Sequence, residues 1–241
     1  MGISNCDLVF IYLLLVSCYD NKVSICKRRK YTLLKKARVF NDMLFKQLQQ
    51  QRRSIYSLGK NIAQTPETIS DIVTTAVKAS PTAFNNQSVR VVVLTGNSHD
   101  KLWQIVIDSL KTQVSDQAAY TKSIEKIKNS FLSAYGTVLF YTDMSVVKSF
   151  EQNVPLYAEN FYDWSEQGHA IAEYATWLAL TENGMGASLQ HYNPLIDDQV
   201  AAAFNIPDAW RLRAQMPFGE ILAVPSNKDT IADDERFKYF N

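Results

Sequence analysis

The chain has 241 residues and a mass of 27.4 kDa, with 46% hydrophobic, 20% charged and 12% aromatic residues. That length suits one large domain or two small ones, with a core that needs no metal or disulfide staple. Twenty-five basic and 24 acidic residues leave a formal charge of +1, and Gly and Pro are few, which excludes a disordered chain, a fibre and a general nucleic-acid-binding surface.

The charge is unevenly placed. Residues 1–42 hold eight basic groups against three Asp, and all three cysteines (Cys6, Cys18 and Cys26) lie there. Residues 27–241 therefore offer no disulfide, no thiolate metal site and no cysteine nucleophile. Leu8–Tyr19 is apolar for about a dozen residues, short of the roughly 20 that a membrane span requires. Asp7 and the lack of an early positive charge argue against a signal peptide. The basic run 27–38 fits a contact with anionic lipid or RNA, or a solvated tail. The expectation is that 1–42 is an extension outside the fold, with the domain spanning 43–241 and starting naturally at Met43.

From Met43 the pattern becomes regular, and MLFKQLQQQRR reads as a short helix. Thr65-Pro66-Glu67 opens the next one with a hydroxyl cap, a proline at the first helical position and an acid near the positive dipole end. Ile69, Ile72, Val73, Ala76 and Val77 keep helical spacing until Pro81. Val89–Leu94 is a β-branched strand, closed by Gly96-Asn97. Ser98 is the expected cap of a helix carrying Leu102, Ile105, Val106 and Leu110, and a further helix holds Ile124, Ile127 and Phe131. Thr137–Tyr141 lacks alternation and reads as a strand buried on both faces. A long helix is expected over 163–183, with Ala170, Tyr174, Ala175, Leu178 and Ala179 inward and Gly184 at a left-handed cap. A strand over 187–192, a helix from Asn193-Pro194, a strand over 211–218 and a tail over 223–241 complete the chain. Strands and helices alternate throughout, which suits a sheet flanked by helices.

Three polar clusters stand out. Arg52-Arg53-Ser54 suits a phosphate clamp, since guanidinium forks match phosphate oxygens; it equally suits a solvated pair at a helix end. The run 80–90 places three carboxamides, Asn85, Asn86 and Gln87, between a helix and a buried strand. Amides pair donor with acceptor, which fits the edge of a heterocycle, or a loop satisfying its own backbone. The third, Ser188-Leu189-Gln190-His191, ends a predicted strand; His191 reads as an acid or as structure, and His99 and His169 as structure. No metal-ligand spacing, nucleophile elbow, phosphate loop or dinucleotide fingerprint is present.

Taken together, RRS near the domain start, Pro81-x-x-x-Asn85-x-Gln87 before a core strand and a basic residue at Arg236 resemble the FMN-dependent nitroreductase family. The likeness is to its fungal and copper-induced bacterial branch, through RRSIYSLGK, FNNQSVRVVVLTG, YGTVLFY, LYAENFYDWSEQ, GASLQHYNPLID and LRAQMPFGE, in order from about Met43 to Phe240. The resemblance implies an α+β fold, with a central mixed or antiparallel sheet flanked by helices, in an intertwined homodimer that binds FMN at the subunit interface. Arg52, Arg53 and Ser54 would hold the phosphate and ribityl end, with Arg236 and Lys228 completing that pocket. Thr82, Asn85 and Gln87 would reach the flavin from the other subunit. Where family members carry a second basic residue this chain has Tyr56, and Gln190 and His191 stand in for the segment facing the reactive flavin edge.

The implied activity is NAD(P)H-dependent, ping-pong reduction of nitroaromatics or quinones, with no dedicated catalytic side chain and no metal. Tyr157, Phe161, Tyr162 and Trp164 are candidates for an aromatic substrate lid, or for packing. Neither nucleic acid nor stable membrane insertion is expected. The expected location is cytoplasmic, or weakly membrane-associated if residues 1–42 are retained. The alternative function is a non-catalytic flavin-binding, redox-sensing or stress-response protein.

Overall fold

The computed structural model describes residues 45–113 and 115–241. Residues 45–50 are helical, as expected, and belong to a unit separate from Gln51–Asn241. The expectations placed on residues 1–42 lie outside the described residues.

In the unit from Gln51 onward, the elements run β1 (Leu58–Gly59), α1 (Pro66–Ala79), β2 (Val89–Thr95), α2 (Gly96–Lys111), α3 (Gln117–Ile127), β3 (Gly136–Asp143), α4 (Met144–Asn153), α5 (Phe161–Glu182), β4 (Gly186–Ala187), α6 (Asp197–Phe204), β5 (Trp210–Ile221) and α7 (Asp233–Arg236). The sheet order is β1-β5-β3-β2, with β4 also on β5, and every ladder is antiparallel. This is the α+β arrangement of helices on a central sheet.

β3 explains why its sequence does not alternate. All eight of its residues are buried. Leu139 and Tyr141 pack toward α2 with Leu102, Trp103, Val106 and Phe131, while Val138 and Phe140 pack toward α1 and α5 with Ile69, Val73 and Leu180. Each layer presents hydrophobic side chains to the middle of the strand, so Val138–Tyr141 is apolar on both sides. Gly136 permits this packing at the strand's start, since a Cβ there would stand 2.7 Å from the Leu94 carbonyl oxygen.

Four sequence expectations need correction. The second helix begins at Gly96, two residues before Ser98; Thr95 takes the cap position, and Gly96 turns the chain at φ +55°, where a side chain would be strained. The turn after Asn193-Pro194 delays α6 to Asp197.

The strand expected over 187–192 shrinks to Gly186–Ala187, although its register with β5 continues. Ser188 N–H still reaches the Pro217 carbonyl at 3.2 Å, and Gln190 and Gln215 exchange both backbone bonds at 2.7 and 2.9 Å. Pro217 has no N–H to return to Ser188, so the ladder is broken at that pair.

The fourth correction concerns α5. Ala170 and Tyr174 face outward, while Phe161, Ser165, Gly168, His169, Ala172, Glu173, Thr176 and Leu180 are buried. Ile171 and Tyr174 are exposed, so apolar residues occupy the outer face as well as the inner one. A helix apolar all round gives no unique inward stripe. Its polar residues are inward because β3 and β5 supply partners. Thr142 Oγ1 lies 3.3 Å from Glu166 and 3.4 Å from His169, His169 pairs with Glu173 at 2.8 Å, and Arg213 donates to Glu166. His169 is therefore part of a buried polar network.

Candidate active site

The Arg52-Arg53-Ser54 run and the 187–191 segment, far apart in sequence, meet in the structure. Ser54 forms a parallel bridge with Ala187, and Ile55 N–H donates to the Ala187 carbonyl at 2.9 Å. Gly186 makes room for this approach, because a Cβ there would stand 3.0 Å from Ile55. Beside the bridge, Gln190 Nε2 donates to Ser188 Oγ at 3.1 Å, and His191 is exposed.

The two arginines are held differently. Arg53 donates to the Ser226 carbonyl at 2.9 Å and so ties down the start of the C-terminal tail. Arg52 lies over the Trp177 ring at 4.5 Å and within 5.9 Å of Tyr174, and its buried Nε has no hydrogen-bond partner among the described residues. A guanidinium without an ion pair is the kind of group that can hold an anion.

Lys228 and Arg236 sit on the exposed tail, where the Arg236 guanidinium lies 5.4 Å from its neighbour Phe237. The tail also exposes Leu222, Val224, Ile231, Tyr239 and Phe240. Its bond through Ser226 brings the segment leading to Lys228 toward Arg53.

The amide run forms a second group, on the loop over 82–88. Thr82, Asn85 and Gln87 line a polar groove of about 370 Å³ together with Lys78, Ser80 and Arg90. Arg90 is fixed by Asp143 at 3.0 Å. Burial alone would raise the Asp143 carboxyl, but bonds from Ser145 and the Arg90 charge outweigh it and leave the pKa lowered.

The loop is strained. Phe84, Asn85 and Gln87 adopt φ of 55°, 51° and 49°, the left-handed region that non-glycine residues avoid. Its restraint is visible: Gln87 N–H donates to Thr82 Oγ1 at 3.0 Å, and the buried Asn86 side chain accepts from Ser88 N–H at 3.0 Å and donates to Ser165 on α5 at 3.3 Å. Of three consecutive amides, Asn86 turns inward as an anchor while Asn85 and Gln87 remain exposed. Gly168 lets the loop lie on α5, since a Cβ there would meet Thr82 Cγ2 at 3.2 Å.

On the other side of Thr82 lies a more apolar groove of about 380 Å³, lined by Phe84, Trp164, Gln167, Gly168 and Ile171 among others. Phe84 stacks on Trp164 at 6.1 Å and contacts Tyr157 at 6.0 Å. Among the proposed lid aromatics, Tyr157 is exposed and Trp164 half-buried, but Phe161 is wholly buried against Phe84, Phe150 and Trp164. As placed here Phe161 is a packing residue, and Tyr162 accepts from Arg211 at 2.9 Å. Sequence reasoning missed Phe84, Trp177 and the inward turn of Asn86. Only Phe84 carried a signal, as an aromatic residue inside a polar loop.

The nitroreductase family model matches residues 50–220, which include both groups. The chain belongs to the nitroreductase family. It is 34% identical to HBN1 of Saccharomyces cerevisiae over 185 residues, covering 76% of this chain and 91% of HBN1. Nitroreductase FRM2 of the same yeast is 31% identical over 182 residues, covering 75% of this chain and 89% of FRM2. The structure of nitroreductase CinD from Lactococcus lactis in complex with nicotinic acid is 44% identical, with a TM-score of 0.75, and the match covers 82% of this chain and all of CinD. CinD is also known in complex with chloramphenicol and with 4-nitrophenol. Family membership makes the chain an oxidoreductase. No helix among the described residues is long and apolar enough to cross a membrane.

Proposed function

We propose that this nitroreductase binds FMN and uses NAD(P)H to reduce planar nitroaromatic or quinone acceptors, as a homodimer in the cytoplasm. The observation that carries the reading is the Arg52 guanidinium, stacked, half-buried and unspent, next to Arg53 and Ser54. An FMN phosphate carries nearly two negative charges, and fixed forked cations are the groups that hold it. The strained amide loop adds a second donor–acceptor surface of the kind a flavin's pyrimidine edge requires. The acceptor class is supported by the CinD complexes with 4-nitrophenol and chloramphenicol.

In this reading Arg52, Arg53 and Ser54 grip the phosphate and ribityl chain, and Lys228 and Arg236 add charge from the tail. Thr82, Asn85 and Gln87 orient the ring system from the second copy, and Gln190 and His191 border its reactive edge. Tyr157 and Trp164 give planar molecules an aromatic wall, with Phe161 supporting it from behind. A bound flavin supplies hydride acceptance and donation, so the side chains need provide no nucleophile or metal. Their work is to bind, to align donor and acceptor in turn over one open face, and to exclude water.

The decisive measurement is the visible spectrum of the purified chain after incubation with FMN. The expected result is a yellow protein, bleached anaerobically by NADH or NADPH and recoloured by 4-nitrophenol. A chain that stays colourless overturns the reading. Bleaching without turnover of the acceptor would favour a redox sensor instead.

A further inference from the structure

We infer that Trp177 is a positioning residue for the anion grip: its indole holds the Arg52 guanidinium flat, so that the edge donors of the arginine face the flavin phosphate. The inference rests on the flavin reading above and adds a residue that this reading does not contain.

The two arginines of the pair show why such a holder is needed. Arg53 is fixed by a hydrogen bond to Ser226, which occupies one of its donors. Arg52 has neither an ion pair nor a hydrogen bond among the described residues, yet it is half-buried. What it has is an aromatic bed, with Trp177 at 4.5 Å and Tyr174 at 5.9 Å, one turn apart on α5. A long flexible cation loses considerable side-chain freedom when fixed. Stacking on a ring supplies that restraint through the π face and consumes none of the five N–H donors. A carboxylate in the same place would fix the side chain and neutralise it.

A second observation points the same way. Trp177 Nε1 is itself buried with no hydrogen-bond partner among the described residues, as is Arg52 Nε. Buried donors are normally satisfied, and here two unpaired ones belong to side chains that lie against each other. A core role for position 177 would be met by a leucine, as at neighbouring Leu178 and Leu180. At 177 an indole meets the guanidinium instead.

The test compares two ligands that differ only in the phosphate. Dissociation constants of FMN and riboflavin are measured on the full chain by quenching of flavin fluorescence, for the wild type, Trp177→Phe, Trp177→Leu and Arg52→Ala. The expected result is that Trp177→Leu weakens FMN about three- to tenfold, a range set by the cation–π interaction, and leaves riboflavin unchanged. Trp177→Phe falls between, because phenyl is the weaker π donor. In the Arg52→Ala background, Trp177→Leu has no further effect on FMN.

Equal weakening of both flavins by Trp177→Leu would make Trp177 a packing residue and overturn the inference. So would a Trp177→Leu variant that keeps the full preference for FMN. A wild type that prefers FMN through Arg52 while ignoring position 177 refutes this inference alone. A wild type that binds neither flavin refutes the cofactor reading, and this inference with it.

Discussion

The two faces of the sheet differ in how their buried polar groups are partnered. On the α2 side one buried polar cluster closes on itself, while Tyr141 Oη and Asp197 Oδ1 are buried without partners among the described residues. Trp103 Nε1–H donates to Thr137 Oγ1 at 3.0 Å, the Thr137 hydroxyl lies 2.9 Å from His99 Nδ1, and His99 Nε2 lies 3.3 Å from the Leu132 carbonyl. With the proton on Nε2, every donor in that chain has its acceptor. On the α5 side, Arg52 Nε, Thr176 Oγ1, Trp177 Nε1 and Arg213 Nε are buried without partners among the described residues. Ile171 and Tyr174 meanwhile face outward. Both faces keep unpartnered buried groups, but only on the α5 face do two of them, Arg52 Nε and Trp177 Nε1, belong to side chains that lie against each other.

The comparison breaks hardest at Thr137, which serves as both donor and acceptor in the α2-side cluster. Thr137→Val keeps the shape but leaves His99 Nδ1 and Trp103 Nε1 unpaired in a fully buried setting. Two such groups cost on the order of 4 kcal/mol, read as a shift in the urea midpoint with an unchanged slope. A loss below about 1 kcal/mol, the scale of one ordinary hydrogen bond, would mean that Thr137 does not satisfy both groups.

Acid attacks the same point slightly less severely. Burial pushes His99 down from its ordinary 6.5 to about 4, against the opposing pull of the Leu132 carbonyl and the Asp100 charge. Between those two values the unfolded chain takes up a proton that the native chain refuses. The contribution of His99 is therefore complete above pH 6.5 and is lost as pH falls toward 4. The total is on the order of 3 kcal/mol. Urea unfolding at a series of pH values should show this decline, and the NMR titration of the His99 ring should stay flat until the protein reaches the acid end of the window. A midpoint near 6.5 would show that the ring reaches water.

These contrasts were only partly legible in the sequence. The double burial of β3 could be read from Thr137–Tyr141, because a run without alternation leaves no polar side for solvent. The cap at Thr65 could be read too, and its side chain does accept from Thr68 N–H at 3.3 Å. The phosphate pair and the amide loop could be named as residues, but their surroundings could not. The contact between Arg52 and Trp177 joins positions 125 apart in the chain, and no local pattern encodes it. The inward face of α5 was hidden by apolar residues on both sides. The early end of β4 was decided by Pro217, on a strand that follows it in sequence. Among three successive amides, only tertiary contact with Ser165 separates the anchor from its two exposed neighbours.

The smallest expected effect sharpens the comparison most, because its sign carries the information. Phe84 holds a left-handed backbone at φ 55° and leaves 55% of its surface exposed. For a bulky residue that conformation costs about 1–2 kcal/mol relative to glycine. Against this stand its aromatic contacts with Trp164, Tyr157 and Phe161, which contribute about 0.5–1.5 kcal/mol per good pair but are only partly buried here. Phe84→Gly should therefore change stability by no more than about 1 kcal/mol, with the released strain offsetting the lost ring. Thermal unfolding of the two proteins measures the balance. A gain in the glycine variant would show that the chain carries the phenyl at a loss, as expected of a ring placed for what the α5 face meets. A loss of 2–3 kcal/mol, the scale of a buried side chain, would instead make Phe84 a structural keystone.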